Sequence, residues 1–222
     1  GDRRDVTLAP YLSSKTTTLE LRYRQAFGSG TLEINGAASN DTLLADRLRS
    51  YVDAQARFDV GRDFVLDMNL RAVSDSGYLL QYGYSENDRL DSNIRLSRYY
   101  DKQYTEAELA YYLTLSSTLN TDNPPPLVFE ARHERQYEPA VIGGTAAVAA
   151  AFETHLRTQK TGTNQRDVAR IGASAHWSRQ WIAPMGIVAE VQSGLNLSHY
   201  RIFEDTSFNS DVSRATPSGQ IT

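Results

Sequence analysis

The chain of 222 residues contains no cysteine, which excludes disulfides and thiolate-held metal centres. It has no run of about 18 apolar residues, so no helix of it can cross a membrane. That absence says nothing against strands, whose alternating hydropathy is a far weaker signal of a membrane. Basic residues are not in excess: 23 Lys and Arg stand against 27 Asp and Glu, a net charge of −4. Nucleic acid is therefore not expected as a partner, because phosphate binding needs a concentrated positive surface. No Gly-x-Ser-x-Gly nucleophile elbow occurs. Tryptophan (2) and phenylalanine (7) are few beside 13 tyrosines. Tyrosine, with an apolar ring and a wet hydroxyl, suits a membrane–water interface.

What the chain has instead is an alternation that keeps restarting. From Tyr51 to Val60 polar and apolar residues swap at nearly every step, as in Asp53, Ala54, Gln55, Ala56, Arg57, Phe58. A strand sends successive side chains to opposite faces, so such a segment has one wet and one apolar face. The rhythm predicts about eleven strands, near 5–12, 17–27, 30–39, 46–60, 63–73, 90–98, 103–115, 126–136, 145–158, 167–179 and 185–202. Ala146 to Phe152 has helical propensity, but period 2 runs through it and predicts strand.

The faces follow from the alternation. Leu19, Leu21 and Tyr23 oppose Glu20, Arg22 and Arg24; Leu66, Met68 and Leu70 oppose Asp67, Asn69 and Arg71. Ala107, Leu109 and Tyr111 oppose Glu106 and Glu108; Ile171 and Trp177 oppose Arg170 and His176. The polar face is crowded with charge, and the apolar face is thin in bulky residues. Lipid on one side and a polar lumen on the other account for both. Connections sort by end. Those near 28–30, 61–63, 99–102 and 183–186 are short; 74–89, 116–125, 158–165 and the stretch after Phe203 are long. Outer-membrane barrels have such short periplasmic turns and longer external loops. The fold class expected is all-β: antiparallel up-and-down strands of a transmembrane β-barrel, in one domain over residues 1–222. The chain opens at Gly1, and Thr216 to Thr222 reads as the approach to a further strand. The expectation is a fragment of a longer barrel.

Two stretches resemble one family. The first is Asp5-Val6-Thr7-Leu8-Ala9-Pro10-Tyr11, followed by Leu19 to Arg24 and, after Gly30, by Leu32-Glu33-Ile34-Asn35-Gly36. The second is Val73-Ser74-Asp75-Ser76-Gly77-Tyr78-Leu79. In order and spacing they resemble the outer-membrane LPS-assembly family LptD, best over residues 2–120. Lys15-Thr16-Thr17-Thr18 departs from the family, which commonly has glycine in that hairpin. The resemblance implies a large barrel plugged by an LptE-like lipoprotein and supplied with lipopolysaccharide by a periplasmic Lpt bridge through an N-terminal domain absent here. The lipid would leave sideways where the first and last strands meet. It also implies the outer membrane of a Gram-negative bacterium, contact with membrane lipid, no cofactor, and transport without catalysis.

Candidate site residues are those whose chemistry the wall does not explain by itself. Arg22, Arg24, Arg49, Arg57, Arg71 and Arg95 fall on the polar face. Guanidinium matches phosphate bidentately, so they are candidate contacts to a phosphate-bearing lipid. Glu20, Asp53, Asp59 and Asp67 share that face, so cross-strand ion pairs are the plainer role. Ser74, Asp75 and Tyr78 form the loop motif, where a side chain of Ser74 or Asp75 would cap a turn. Asp75 with Asp205, or the acidic run Ser85 to Asp88, could meet calcium, but neither has the spacing of a dedicated loop. His155 and His176 both face the polar side from neighbouring strands, a geometry for a metal pair or general base that lacks an evident third ligand; lumen-facing polar residues are the plainer reading. No metal is therefore expected. Tyr78, Tyr82, Tyr84, Tyr99, Tyr100 and Tyr104 flank strand ends as an interfacial girdle would. Pro124 to Pro126 would stiffen a loop. Alternatives are a porin or TonB-dependent transporter, a soluble carbohydrate-binding or adhesin β-sandwich, and an outer-membrane hydrolase without an assembled site. A porin would carry a loop folded inward, and a sandwich would seal Leu21, Leu66 and Leu109 in a dry core.

Overall fold

The computed structural model describes residues 3–42, 47–115, 127–157, 167–203 and 210–222. Twelve strands follow in chain order: β1 (Arg3–Leu12), β2 (Thr16–Phe27), β3 (Gly30–Asp41), β4 (Arg49–Gly61), β5 (Phe64–Val73), β6 (Arg89–Tyr100), β7 (Gln103–Thr114), β8 (Leu127–Tyr137), β9 (Thr145–Leu156), β10 (Asp167–Ile182), β11 (Val188–Phe203) and β12 (Asp211–Ile221). They form a single 12-stranded sheet in which sequence neighbours are sheet neighbours. The one α-helix among the described residues is a single turn, α1 (Tyr78–Gln81), between β5 and β6. The fold is therefore all-β and up-and-down, as the alternation predicts.

Two compact units divide the chain. One comprises Gly1–Leu96 with Leu109–Leu127, the other Ser97–Glu108 with Val128–Thr222. In the first, β1 to β5 pair antiparallel without interruption, apart from one irregularity between Asp59 and Gly61. In the second, β9 to β12 do the same over 11 to 16 positions per pair.

The turns explain the tight connections. Gly61, Arg62 and Asp63 have φ of 86°, 54° and 63°, and Asp101 and Lys102 have φ of 40° and 59°. Consecutive left-handed residues make the two-residue turns whose twist matches antiparallel strands. Gly30 meets a different need: a Cβ there would lie 2.1 Å from the Arg57 carbonyl oxygen across the β3–β4 ladder. β12 is the strand that the alternation misses. Residues 211–221 carry Ser, Thr, Gly and Pro217 where an apolar stripe is usual, so only the end of the segment looked like a strand approach. Pro217 sits opposite Leu195 of β11.

Burial is inverted relative to a water-soluble sheet. Leu8 (59% exposed), Leu21 (39%), Leu109 (41%), Phe152 (40%) and Ile171 (59%) lie open on the apolar face. Leu66 is only half-buried. The dry core of the β-sandwich alternative is absent among the described residues. The side chains sealed most completely are Arg49, Tyr78 and Ser39.

Candidate functional site

The sealed group is built by the connection between β5 and β6. That segment, expected as an open external loop, folds back onto the residues that share a face with Glu20 and Asp53. Ser74 begins the return: its amide donates to the Ser50 carbonyl at 2.8 Å, and its Oγ accepts from the Ser50 amide at 2.9 Å. Asp75 then closes a turn, with Oδ1 accepting from the Gly77 amide at 3.2 Å. α1 follows and carries Tyr78 and Leu79 inward.

Arg49, at the start of β4, is the anchor. Its Nε donates to Asp75 Oδ2 at 2.9 Å and its Nη2 to Asp75 Oδ1 at 2.7 Å, a bidentate pair. Nη2 also donates to Gln81 Oε1 at 2.7 Å, and Nη1 to Asp41 Oδ2 at 2.9 Å. The guanidinium carbon lies 5.3 Å and 5.7 Å from the ring centres of Tyr78 and Tyr82. Two carboxylates thus meet one buried cation, and four of its five N–H donors reach Asp41, Asp75 or Gln81. The Arg49 guanidinium holds the Asp75 carboxyl below the usual carboxylate range.

Tyrosine completes the cluster. The hydroxyls of Tyr78, Ser39 and Thr18 form a chain with spacings of 2.6 and 2.7 Å. Tyr82 donates to Asp41 Oδ2 at 2.7 Å and Tyr84 to Glu20 Oε1 at 2.7 Å. Tyr51, Tyr78, Tyr82 and Tyr84 pack against one another at 4.6 to 6.3 Å between centroids, tilted in every pair but the parallel Tyr82 and Tyr84. Burial pushes the Tyr78 and Tyr84 phenols up, so they stay neutral hydrogen-bond donors. Three tyrosines expected in an interfacial girdle therefore belong to this cluster instead. Tyr99 and Tyr104 also fall on the polar face by alternation with Arg95 and Glu106, which leaves Tyr100 of that set on the apolar face. The aromatic rings that do sit outward at the short-turn end include Phe27 and Phe58, 5.4 Å apart. Asp75 spends both oxygens on Arg49 and has none in reserve for calcium. Asp205 and Pro124 to Pro126 lie outside the described residues.

The other candidate arginines are paired more openly. Arg22 meets Glu33 at 3.0 Å, Arg24 meets Asp5 at 2.5 Å, Arg57 meets Asp67 at 2.8 Å and Arg71 meets Asp53 at 2.9 Å. Arg95 reaches Asp67 at 3.8 Å. Arg24, Arg57, Arg71 and Arg95, with Arg3, line an open groove of about 830 Å³ in which Asp5, Glu33 and Asp67 are the acidic members. The groove is net positive, and its pairs are half in solvent, where each contributes roughly 0 to 1 kcal/mol.

His155 and His176 do not meet. His155 lies opposite Val168 and His176 opposite Ala147, eight ladder positions apart, or about 26 Å. His155 instead gathers with Glu153 and Glu130, whose ligand atoms lie within 4.8 Å of one another. Glu130 had no signal of its own in the sequence: the up-and-down order makes β8 and β9 neighbours, but the register that brings Glu130 to Glu153 and His155 comes from the fold.

An inward-folded connection is a feature that the sequence reading assigned to a porin, so the polar cluster alone does not decide between barrel types. The comparison with known families does. The profile of LptD, the LPS transport system D, matches residues 47–222. The chain belongs to the LptD family. The match includes Arg49 and the whole Ser74–Tyr78 motif, and it extends through β12, well beyond the part where the sequence resemblance was best. The Asp5–Gly36 motif lies before it. No curated protein matches the chain. LptD proteins serve lipopolysaccharide transport at the outer membrane and are a transport family, not an enzyme family. The all-β sheet with an exposed apolar face agrees with that location.

Proposed function

We propose that residues 1–222 are part of one outer-membrane barrel domain of a non-enzymatic translocon that inserts lipopolysaccharide into the outer leaflet. The observation that carries the reading is the inverted burial: an apolar face open along strands of 10 to 16 residues, backed by a charged face. Tilted strands of about 9–11 residues span a bilayer. On the polar face, Arg24, Arg57, Arg71 and Arg95 of the groove meet phosphate-bearing parts of the passing lipid by exchanging their half-solvated carboxylates for phosphate. Arg22 takes the same role beside them. Arg49 does not, because its donors are committed to Asp41, Asp75 and Gln81; with Ser74, Asp75 and Tyr78 it positions the β5–β6 connection. The partners are an LptE-like plug lipoprotein and the periplasmic Lpt bridge.

The test uses the full-length protein in cells, with a photo-crosslinking residue at Arg57 or at Phe58. Lipopolysaccharide or a small lipoprotein captured at position 57 and not at 58 is the expected result. Capture of neither at either position, with the protein in a soluble fraction, overturns the reading.

A further inference from the structure

The polar face carries a second set of converging side chains, apart from Arg49. Glu130 stands near the start of β8, and Glu153 and His155 stand two residues apart near the end of β9, the neighbouring strand. By alternation Glu153 and His155 share their side of β9 with Ala147, Ala149 and Ala151, opposite Val148 and Phe152. Two carboxylate oxygens and one ring nitrogen, one from each residue, come within 4.8 Å of one another. No other group of three metal-ligating side chains gathers this closely among the described residues. All three belong to the second compact unit.

His155 supplies the observation that points to a ligand. Its Nε2 is closed to solvent and makes no hydrogen bond, although Glu153 Oε1 lies 2.6 Å away. The contact has the length of a hydrogen bond but not its direction. A buried ring nitrogen ordinarily has a partner. The nearby cations are engaged elsewhere. Arg132, two residues after Glu130, pairs with Glu134. Arg170 lies across the ladder from Glu153 and takes its other oxygen, with Nη1 3.6 Å from Oε2. Arg170 is itself held by Ser198 Oγ at 3.4 Å and by the Tyr200 ring at 5.4 Å. It therefore orients Glu153 and leaves Oε1 on the side of His155, as outer partners orient the ligands of a metal.

The donor set selects the ion. Calcium and magnesium favour oxygen alone, whereas imidazole beside carboxylates suits zinc. Ligand atoms around one zinc ion stand about 3.3 Å apart, given metal–ligand distances of about 2.0–2.2 Å. Glu153 Oε1 and His155 Nε2 would part slightly to admit the ion, and the exposed Glu130 would close on it. We propose that Glu130, Glu153 and His155 form a binding site for one Zn²⁺ ion on the polar face. The ion is the partner of Nε2, takes an oxygen from each glutamate and ties β8 to β9 at the end where the long connections leave. Three protein ligands leave a fourth position for water or an anionic oxygen. The sequence expectation of no metal rests on His155 with His176, which the register separates; Glu130 supplies the ligand that pair lacked. The inference does not depend on lipopolysaccharide as the cargo.

The full-length protein, purified with its partner lipoprotein and stripped with a chelator, would be titrated with Zn²⁺, and the metal retained per molecule counted by elemental analysis. Wild type is expected to hold one zinc ion more than His155→Gln. Glu130→Gln is expected to bind that ion at least about tenfold more weakly, since even outer partners of a metal are worth 10- to 100-fold in affinity. Glu130 is exposed, so its variant tests the site without disturbing packing. His176→Gln should keep the wild-type count. With Cu²⁺ in place of Zn²⁺, electron paramagnetic resonance should show coupling to one imidazole nitrogen, lost in His155→Gln. Heat-modifiable gel mobility would confirm that each variant is folded. Equal zinc counts and affinities in wild type, His155→Gln and Glu130→Gln overturn the site, as does displacement of the ion by a hundredfold excess of Ca²⁺. None of these outcomes bears on the translocon reading, which the crosslinking experiment tests separately.

Discussion

Arg49 and Asp75 face each other in a fork of two hydrogen bonds, 2.7 and 2.9 Å long, that spans 26 residues of chain. Both atoms of the carboxylate are used, and the guanidinium is 2% exposed. Arg49→Ala would leave Asp41 and Asp75 facing each other without their cation. Breaking a buried pair from one side costs about 3–5 kcal/mol. Hydrogen exchange on the full-length protein should show residues 74–88 opening by orders of magnitude faster, while β9 to β12 keep their protection. Unchanged exchange in 74–88 would show that the fork does not hold the connection.

The Tyr78 ring and hydroxyl contribute separately. Tyr78→Phe removes one link of the Thr18–Ser39–Tyr78 chain, at about 1–2 kcal/mol. Tyr78→Ala also removes the ring from the contacts with Tyr51, Tyr82 and Arg49, at about 3–5 kcal/mol. Unfolding temperatures measured by heat-modifiable gel mobility should fall in that order, wild type above Phe above Ala.

The fork also has a pH range. Asp75 is held below its ordinary value near 4, so the folded state binds its proton more weakly than the unfolded chain does. Its contribution is full above about pH 4 and is lost as pH falls through the lower, folded value. Protease cleavage within 74–88 should stay slow from pH 7 to about 4 in exchange-matched assays and rise only below that. Asp75→Asn should be cleaved at one rate across the whole range.

Gly30 and Gly28 flank the same turn, yet they should answer alanine differently. A Cβ at Gly28 meets nothing within 4 Å, whereas at Gly30 it collides with the Arg57 carbonyl and Phe58. Gly30→Ala is expected to cost about 1–3 kcal/mol, as overpacking does, and Gly28→Ala under 1. Urea titrations of the refolded full-length barrel would measure both.

On the apolar face, Leu109→Val should assemble normally in cells and Leu109→Arg should not, given a penalty of roughly 2–4 kcal/mol at mid-bilayer. Outer-membrane fractionation reads the outcome. Equal assembly of the two variants would remove Leu109 from lipid.

Much of this was legible in the sequence wherever period 2 governs. Eleven strands were visible because a lipid-facing stripe must repeat at every second residue, and a slip of one would bury charge. β12 was not, because Pro217 and its small polar neighbours supply no stripe. The Arg22, Arg24, Arg57 and Arg71 pairings follow from alternation together with register, and register needs only the turns. The role of Arg49 was hidden for another reason. It sits among like residues on its face, and its partners Asp41, Asp75 and Gln81 come from three other segments. A run of Tyr78, Leu79, Leu80, Tyr82 and Tyr84 inside a supposed loop was the available signal, since so much aromatic surface rarely stays in water.

The returning β5–β6 connection changes what damage to this protein would look like. Its tightest packing lies on the polar face, where a passage would run, and not in the layer that lipid supports. A variant that frees the connection could keep every strand paired and still be inserted. Its defect would be electrical: in a planar bilayer the loosened barrel would carry larger and noisier ionic current than the intact one.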